Sequence, residues 1–350
     1  MEEPYRRVEV SGPPRALGRE LGEAAREEVR GFAAVALERV NHSARVSRRA
    51  AVETARRSGA YAEDYAPHML EELRGVSEAS GVSLDDLLLL QVRNQLRDEG
   101  ACTAAAVSAQ ASAAGRPLVA QNWDNDPALD PYTIVLVRRP AGRPAFMDVT
   151  QAGLIAYIGV SAAGIGLCMN TLPAPARTVG VPHYFTVRGI YESRTLQEAV
   201  EAVERAPRAI PANILLVTPQ GPADLEVGVD RVHVLWPGPE GWLVHTNHAL
   251  HPDLCRCAGG FPELIQSQAR RQRMEALLRA AGTPLGVAHL QAALQDHQGY
   301  PRSICRHPND SPGTGFWRSV FSVVADPQAG ELYVSRGNPC QHPYHTYVLN

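Results

Sequence analysis

The stretch Gly100-Ala101-Cys102 sets a cysteine behind two small residues and ahead of a run of further small ones, where an acidic, helix-like segment gives way to a strand. If the peptide bond before Cys102 were cut, the new α-amine would lie beside its own thiol. A free thiol has a pKa of roughly 8.5 and an α-amine one of roughly 7.7–8.0, so the amine could take the thiol proton with no histidine. Small residues at 100 and 101 would let the thiol reach the preceding carbonyl. An N-to-S acyl shift would then form a thioester, and water would release the upstream piece. Four further stretches could serve that chemistry. "QNWD" (121–124) ends the second strand after Cys102, so strand pairing would bring Asp124 to the new amine. "GVSAAGIGLCMN" (159–170) is a Gly-rich hairpin whose backbone can approach closely. "VHTNH" (244–248) sets Asn247 at a strand end, where its amide could donate to an oxyanion. "YPRSICRH" (300–307) sets Arg306 after a helix as a fixed cation.

Taken in order, "ACT", "QNWD", "MNTL", "HTNH" and "SICRH" resemble the acyl-coenzyme A:6-aminopenicillanic acid acyltransferase family of N-terminal nucleophile (Ntn) cysteine hydrolases. The resemblance spans most of the chain and includes a helical pro-segment. It implies an α+β fold, the Ntn-hydrolase αββα sandwich, with autocatalytic cleavage between Ala101 and Cys102 into two associated chains. The implied activity is hydrolysis of an amide, or acyl transfer, through a thioester on Cys102. By the same resemblance Asp124 would hold the amine, and Asn247 and the backbone N–H of Asn170 would form the oxyanion hole. Arg306 would neutralise charge near the nucleophile, paired with Asp124. Two departures stand out: the family often has Gly directly before the nucleophile, where this chain has Ala101, and Ser161 stands where relatives often carry Asn.

Other chemistry is open to the same residues. A thiol–histidine mechanism would pair Cys102 with His245 or His248 and need no cleavage. A non-catalytic ligand-binding protein could keep the same fold. "HTNHALHPDLCRC" offers His245, His248, His251, Cys255 and Cys257 as metal ligands, but its cysteines stand C-x-C rather than C-x-x-C, and no metal is expected. "GVSAAG" has one residue too many for a serine nucleophile elbow.

The totals remove whole classes. All 34 basic residues are arginine, so mechanisms that need a lysine amine are excluded: Schiff bases, pyridoxal phosphate, P-loops and Ser-Lys dyads. Lysine-free composition also points to a GC-rich, bacterial genome. With a formal charge of -3 and no basic block, no nucleic acid partner is expected. Six cysteines in a chain whose start lacks an apolar signal core fit reduced thiols and a cytoplasmic location. The uncharged run 152–172 has the length of a membrane span, but its glycines break it into strand-sized pieces, so no membrane partner is expected. The expected partners are a small-molecule amide or acyl substrate and the cleaved pro-segment, and a homo-oligomer is compatible with the chain. No cofactor is expected, other than acyl-coenzyme A as acyl donor should the reaction be a transfer.

These residues need elements to position them. Apolar positions recur at helical spacing over 15–40, and Ser83 with Asp86 three residues on opens a second helix over 83–99. Residues 1–101 are thus read as the mainly helical pro-segment and 102–350 as the catalytic region. After Cys102, short β-type runs follow one another to 170. A helix is expected over 186–206, strands over 212–248, helices over 265–281 and 285–297, and strands again to the end. Strands and helices in blocks indicate α+β layering, with two antiparallel sheets covered by helices on both outer faces.

Overall fold

A computed structural model describes residues 3–42, 44–96, 101–260 and 265–350. The acidic residues just before Ala101, and the end of the helix expected over 83–99, lie outside them. The chain opens with strand β1 (Arg7–Gly12), an alternating segment inside the region read as helical. Helices α1 (Pro14–Ala24), α2 (Arg26–Val40), α3 (Arg48–Tyr65), α4 (Pro67–Ser80) and α5 (Leu84–Val92) follow. Ser47 and Ser83 cap α3 and α5 through their hydroxyls, and Gly81 ends α4 in the left-handed conformation at φ 77°. The single helix expected over 15–40 is two, because Ala25 leaves helical geometry. α1 turns there to cross α4 at glycine contacts so close that a Cβ on Gly18 would stand 1.9 Å from the Glu72 carbonyl oxygen.

Strands β2 (Ala101–Val107), β3 (Leu118–Asn125), β4 (Thr133–Pro140), β5 (Phe146–Gln151), β6 (Ile158–Ser161) and β7 (Gly166–Thr171) come next. The uncharged run 152–172 therefore contains the β6–β7 hairpin, and among the described residues no helix is long and apolar enough to cross a membrane. The helix expected over 186–206 is also two, α6 (His183–Tyr191) and α7 (Leu196–Glu204), with Thr195 capping the second by accepting from Glu198 N–H at 3.2 Å. The chain continues through β8 (Ala212–Thr218), β9 (Gly221–Val227), β10 (Val232–Leu235) and β11 (Trp242–His245). It ends with α8 (Pro252–Ala258), α9 (Ser267–Ala281), α10 (Val287–Leu294), β12 (Arg318–Asp326), β13 (Glu331–Arg336) and β14 (Tyr344–Val348).

The strands form an eight-stranded sheet, β1-β4-β5-β6-β7-β8-β9-β10, and a six-stranded sheet, β11-β2-β3-β12-β13-β14. All pairings are antiparallel except β1 on β4. The sheets face each other through β2, β3 and β12 against β6, β7 and β8. Helices α1, α2 and α7 cover the outer face of the larger sheet, and α9 and α10 that of the smaller. The layering is αββα, as the resemblance implies. The first hundred residues are a constituent of it: Leu17, Phe32, Leu73 and Leu89 share one continuous core with Val135, Val149 and Leu216. Charge is buried in the same contact. Glu72 on α4 accepts from Arg138 on β4 and Arg188 on α6, both at 2.9 Å, and all three side chains are almost fully enclosed.

Candidate active site

Alternation along β2 decides what Cys102 faces. Cys102, Ala104 and Ala106 point into the core between the sheets, while Ala105 and Val107 point to the core under α9 and α10. The alanines leave room for the opposite sheet, and the thiol lies at the strand's start, 3% exposed. β2 pairs with β3 so that Cys102 faces Trp123 and Ala101 faces Asp124. Strand pairing thus brings Asp124 to the Ala101–Cys102 bond, on the face opposite the thiol.

Asn247, just beyond β11, fastens the backbone of Cys102. Its Oδ1 accepts from Cys102 N–H at 2.9 Å and from Arg270 Nη2 at 2.8 Å, and its Nδ2 donates to the Thr171 carbonyl at 2.9 Å. Two donors aimed at one atom fix the amide's orientation. The backbone N–H of Asn247 is held by Ser267 Oγ at 2.7 Å. Arg270 itself was not foreseen. Its Nη1 donates to the Cys102 carbonyl at 2.6 Å and to Thr103 Oγ1 at 2.8 Å, while Nε donates to the Ile265 carbonyl at 2.9 Å. One signal in the sequence could have found it: Arg270 falls on the apolar face of α9, four residues before Met274 and eight before Leu278, and all three are buried. An arginine in such a row needs acceptors inside the protein.

Asp124 is fully buried; its Oδ1 accepts from Ser319 Oγ at 2.6 Å, and its Oδ2 has no hydrogen-bond partner. Burial raises its pKa to about 6, against the opposing pull of the Arg270 charge and the Ser319 hydroxyl. Burial also pushes the Cys102 thiol well above its usual range, and the neighbouring Asp124 carboxylate pushes it further. As it stands this thiol is therefore protonated and a weak nucleophile.

Arg306 is buried near Asp124, but the two make no ion pair among the described residues, contrary to expectation. Ser319 stands at the junction instead: its hydroxyl donates to Asp124 and accepts from Arg306 N–H at 3.0 Å. Arg306 Nε and Nη1 lack partners, and burial pulls the guanidinium pKa down. Asn170 on β7 lines the same cavity as Cys102, and its side chain is engaged on both sides. Its Oδ1 accepts from Gln121 Nε2 at 2.8 Å and its Nδ2 donates to Asn213 Oδ1 at 2.9 Å. Ser161 closes the β6–β7 turn by accepting from Ala163 N–H at 3.0 Å.

His245 is spent elsewhere. Its Nε2 meets Glu226 Oε1 and its Nδ1 the Thr246 carbonyl, both at 2.9 Å. Burial disfavours the imidazolium, but Asp224 and Glu226 outweigh it and raise the pKa. With both nitrogens engaged by Glu226 and the Thr246 carbonyl, the ring is turned away from the thiol. His248 Nδ1 is held by Ser267 Oγ at 2.7 Å. The residues weighed as metal ligands over 245–257 form no joint cluster among the described residues.

The cavity over Cys102 has a volume of about 40 Å³, enough for water but not for an acyl chain. Trp123, Tyr157, Met169 and Ile210 give it apolar walls, and Asn94, from the helical region before β2, also lines it. His183 also lines it, with burial lowering that ring's pKa to about 3 and Nδ1 unpartnered.

Residues 112–341 match the family model described as acyl-coenzyme A:6-aminopenicillanic acid acyl-transferase. That span begins just past Cys102 and contains Asp124, Asn170, Asn247, Arg270 and Arg306. The chain is 27% identical over 293 residues to the 40 kDa form of acyl-coenzyme A:6-aminopenicillanic-acid-acyltransferase from the fungus Emericella nidulans, covering 81% of this chain and 78% of that protein. Penicillin V acylase from Agrobacterium tumefaciens is similar with a TM-score of 0.43 and 10% identity, over 66% of this chain and 82% of that one. For a conjugated bile acid hydrolase mutant from Clostridium perfringens the values are 0.42 and 10%, over 71% and 97%.

Proposed function

Since the chain belongs to the acyl-coenzyme A:6-aminopenicillanic acid acyl-transferase family, we propose that it is a self-processing cysteine amidohydrolase or acyltransferase whose nucleophile, Cys102, becomes an N-terminus by cleavage of Ala101–Cys102. The observation that carries this reading is the acceptor on the nucleophile's nitrogen, where Asn247 Oδ1 takes the Cys102 N–H at 2.9 Å. β11 pairs with β2 only as far as Ala104, so this buried N–H takes a side chain as its acceptor, one that could also hold the nitrogen as a freed amine after its acyl partner leaves. Residues 1–101 are on this reading a pro-segment that remains as the associated first chain.

In processing, Cys102 Sγ attacks the Ala101 carbonyl carbon and the C–N bond breaks. The thiol proton passes to the departing nitrogen, and water hydrolyses the thioester. Sγ, the α-amine and the Ala101 carboxylate are thereby freed. In turnover the same Sγ attacks the substrate's amide or thioester carbonyl. The α-amine takes the thiol proton and hands it to the leaving group, and water or an acceptor amine then resolves the acyl-enzyme. Asn247 Nδ2 uses one N–H on Thr171 and has the second to give to the oxyanion. Arg270 and Arg306 supply positive charge, and Asp124 holds the amine. An acyl-coenzyme A donor, as in the name of the fungal relative, would enter as the thioester. Both imidazole nitrogens of His245 are engaged away from the thiol, which disfavours a Cys102–His245 pair.

The test is covalent trapping. Purified protein is offered N-acyl amino acids, penicillins and acyl-coenzyme A thioesters in parallel, and the acid-quenched chain is weighed and mapped. An acyl adduct on Cys102 with at least one substrate is expected. Turnover of any of them in a Cys102→Ala protein would sink the assignment.

A further inference from the structure

Four donor atoms away from the Cys102 cavity converge on one point. His297 follows α10, Cys305 and His307 flank Arg306 in the loop to β12, and Cys340 lies between β13 and β14. Their ligand atoms all lie within 4.8 Å of one another. Cys305 Sγ stands 3.5 Å from Cys340 Sγ and 3.6 Å from His307 Nε2. Cys340 Sγ stands 3.5 Å from His307 Nε2, which stands 3.1 Å from His297 Nε2. A tetrahedral zinc ion has bonds of about 2.3 Å to sulfur and about 2.0–2.1 Å to nitrogen. Its ligand edges are then about 3.8 Å for S···S, about 3.6 Å for S···N and about 3.4 Å for N···N. The four measured edges lie within about 0.3 Å of those values.

We propose that His297, Cys305, His307 and Cys340 form a structural zinc site. The donor set is two thiols and two imidazoles with no carboxylate, which selects zinc over calcium or magnesium. Binding replaces the two thiol protons, and the pair of thiolates neutralises the ion's charge. The surroundings suit a thiolate site: Asn338 Nδ2 donates to Cys305 Sγ at 3.5 Å, and the Tyr300 ring packs beside both imidazoles, its centroid 5.8 Å from that of His297 and 5.1 Å from that of His307. A Cys305–Cys340 disulfide would use the two sulfurs but leave unexplained why both imidazole nitrogens are turned toward them. The ion would tie the loop after α10 to the loop after β13. Arg306 lies between two of its ligands, its carbonyl accepting from Asn338 Nδ2 at 2.6 Å, so the site would also hold the Arg306–Ser319–Asp124 arrangement.

The experiment uses the full chain purified under a thiol reductant without chelators. Metal content is measured directly, and the chelated protein is then titrated with zinc sulfate or cobalt chloride. About one zinc per chain is expected. Cobalt should give the absorption of a tetrahedral site with thiolate charge transfer, and removal of the metal should lower the unfolding temperature by several degrees. His297 is exposed, so His297→Ala should keep the fold yet weaken cobalt binding at least about tenfold. Cys340→Ser should reduce the charge-transfer band. Reduced protein that takes up neither metal would overturn the proposal. So would a cobalt spectrum that is the same in both variants as in the parent, because the metal would then sit elsewhere.

Discussion

At the residue scale, buried charge is arranged around one thiol. Burial and Asp124 push the Cys102 thiol well above its usual range, and on the proposed reading a freed α-amine would supply the base it lacks. The Asp124 carboxylate beside that amine favours its charged form and so raises its pKa. Asp124→Asn should therefore move the acid limb of kcat/KM to lower pH, by about one unit, while lowering the maximum. A limb that stays in place, read from a full pH profile, would deny Asp124 its position at the amine. Arg270 donates to Cys102 O, Thr103 Oγ1, Asn247 Oδ1 and Ile265 O at once, which one planar guanidinium can do and an ammonium cannot. Arg270→Lys should cost about 10²-fold in turnover with charge unchanged, measured alongside circular dichroism to show the fold intact. That Cys102, Asp124 and Asn247 stand together could be read from short ordered motifs, whereas the relation of Arg306 to Asp124 could not, because Ser319 comes between them only in the fold. Arg270 was not legible, because "SQARRQRMEALLRAA" carries four arginines and only the burial of one face singles out the first.

At the element scale, small residues set the distances. The alanines of β2 let the two sheets close over the thiol, and glycines let α1 and α4 cross almost backbone to backbone. A Cβ on Gly18 would meet the Glu72 carbonyl at 1.9 Å, and one on Gly75 would meet the Arg15 carbonyl at 2.2 Å. Glu72 is also the buried carboxylate that holds Arg138 and Arg188. Gly18→Ala should thus cost about 2–3 kcal/mol, as overpacking does, seen as a lower urea midpoint with an unchanged slope. The same crossing explains a boundary that periodicity missed. Apolar spacing runs on through Ala25, and the bend there answers to α4, some fifty residues further on. The break before α7 was missed as well, although Thr195 and Glu198 form a local N-cap signal that marks it. β1 was missed because six alternating residues at the edge of a helical region gain their strand from pairing with β4, a partner more than a hundred residues away.

At the scale of the whole molecule, the first hundred residues are a structural layer, which on the proposed reading is also the pro-segment. They contribute β1 to the larger sheet, helices to its outer face, and Glu72 to a buried ion cluster. Cleavage before Cys102 would cut one bond and none of these contacts. The two chains should therefore co-elute as one species in size exclusion and separate only in denaturant; elution of a free first chain under native conditions would contradict that. The layering itself was legible, since strands and helices arrive in blocks. Which residues close the cavity over the thiol was not, because Asn94 and His183 meet there only through the fold. The central claim is that Cys102 acts as an N-terminus, and denaturing mass spectrometry of the purified protein tests it most directly. Wild type should give two chains, the second beginning at Cys102, and Cys102→Ala should give one. A wild-type chain that stays whole while turning over its amide substrate would contradict the account.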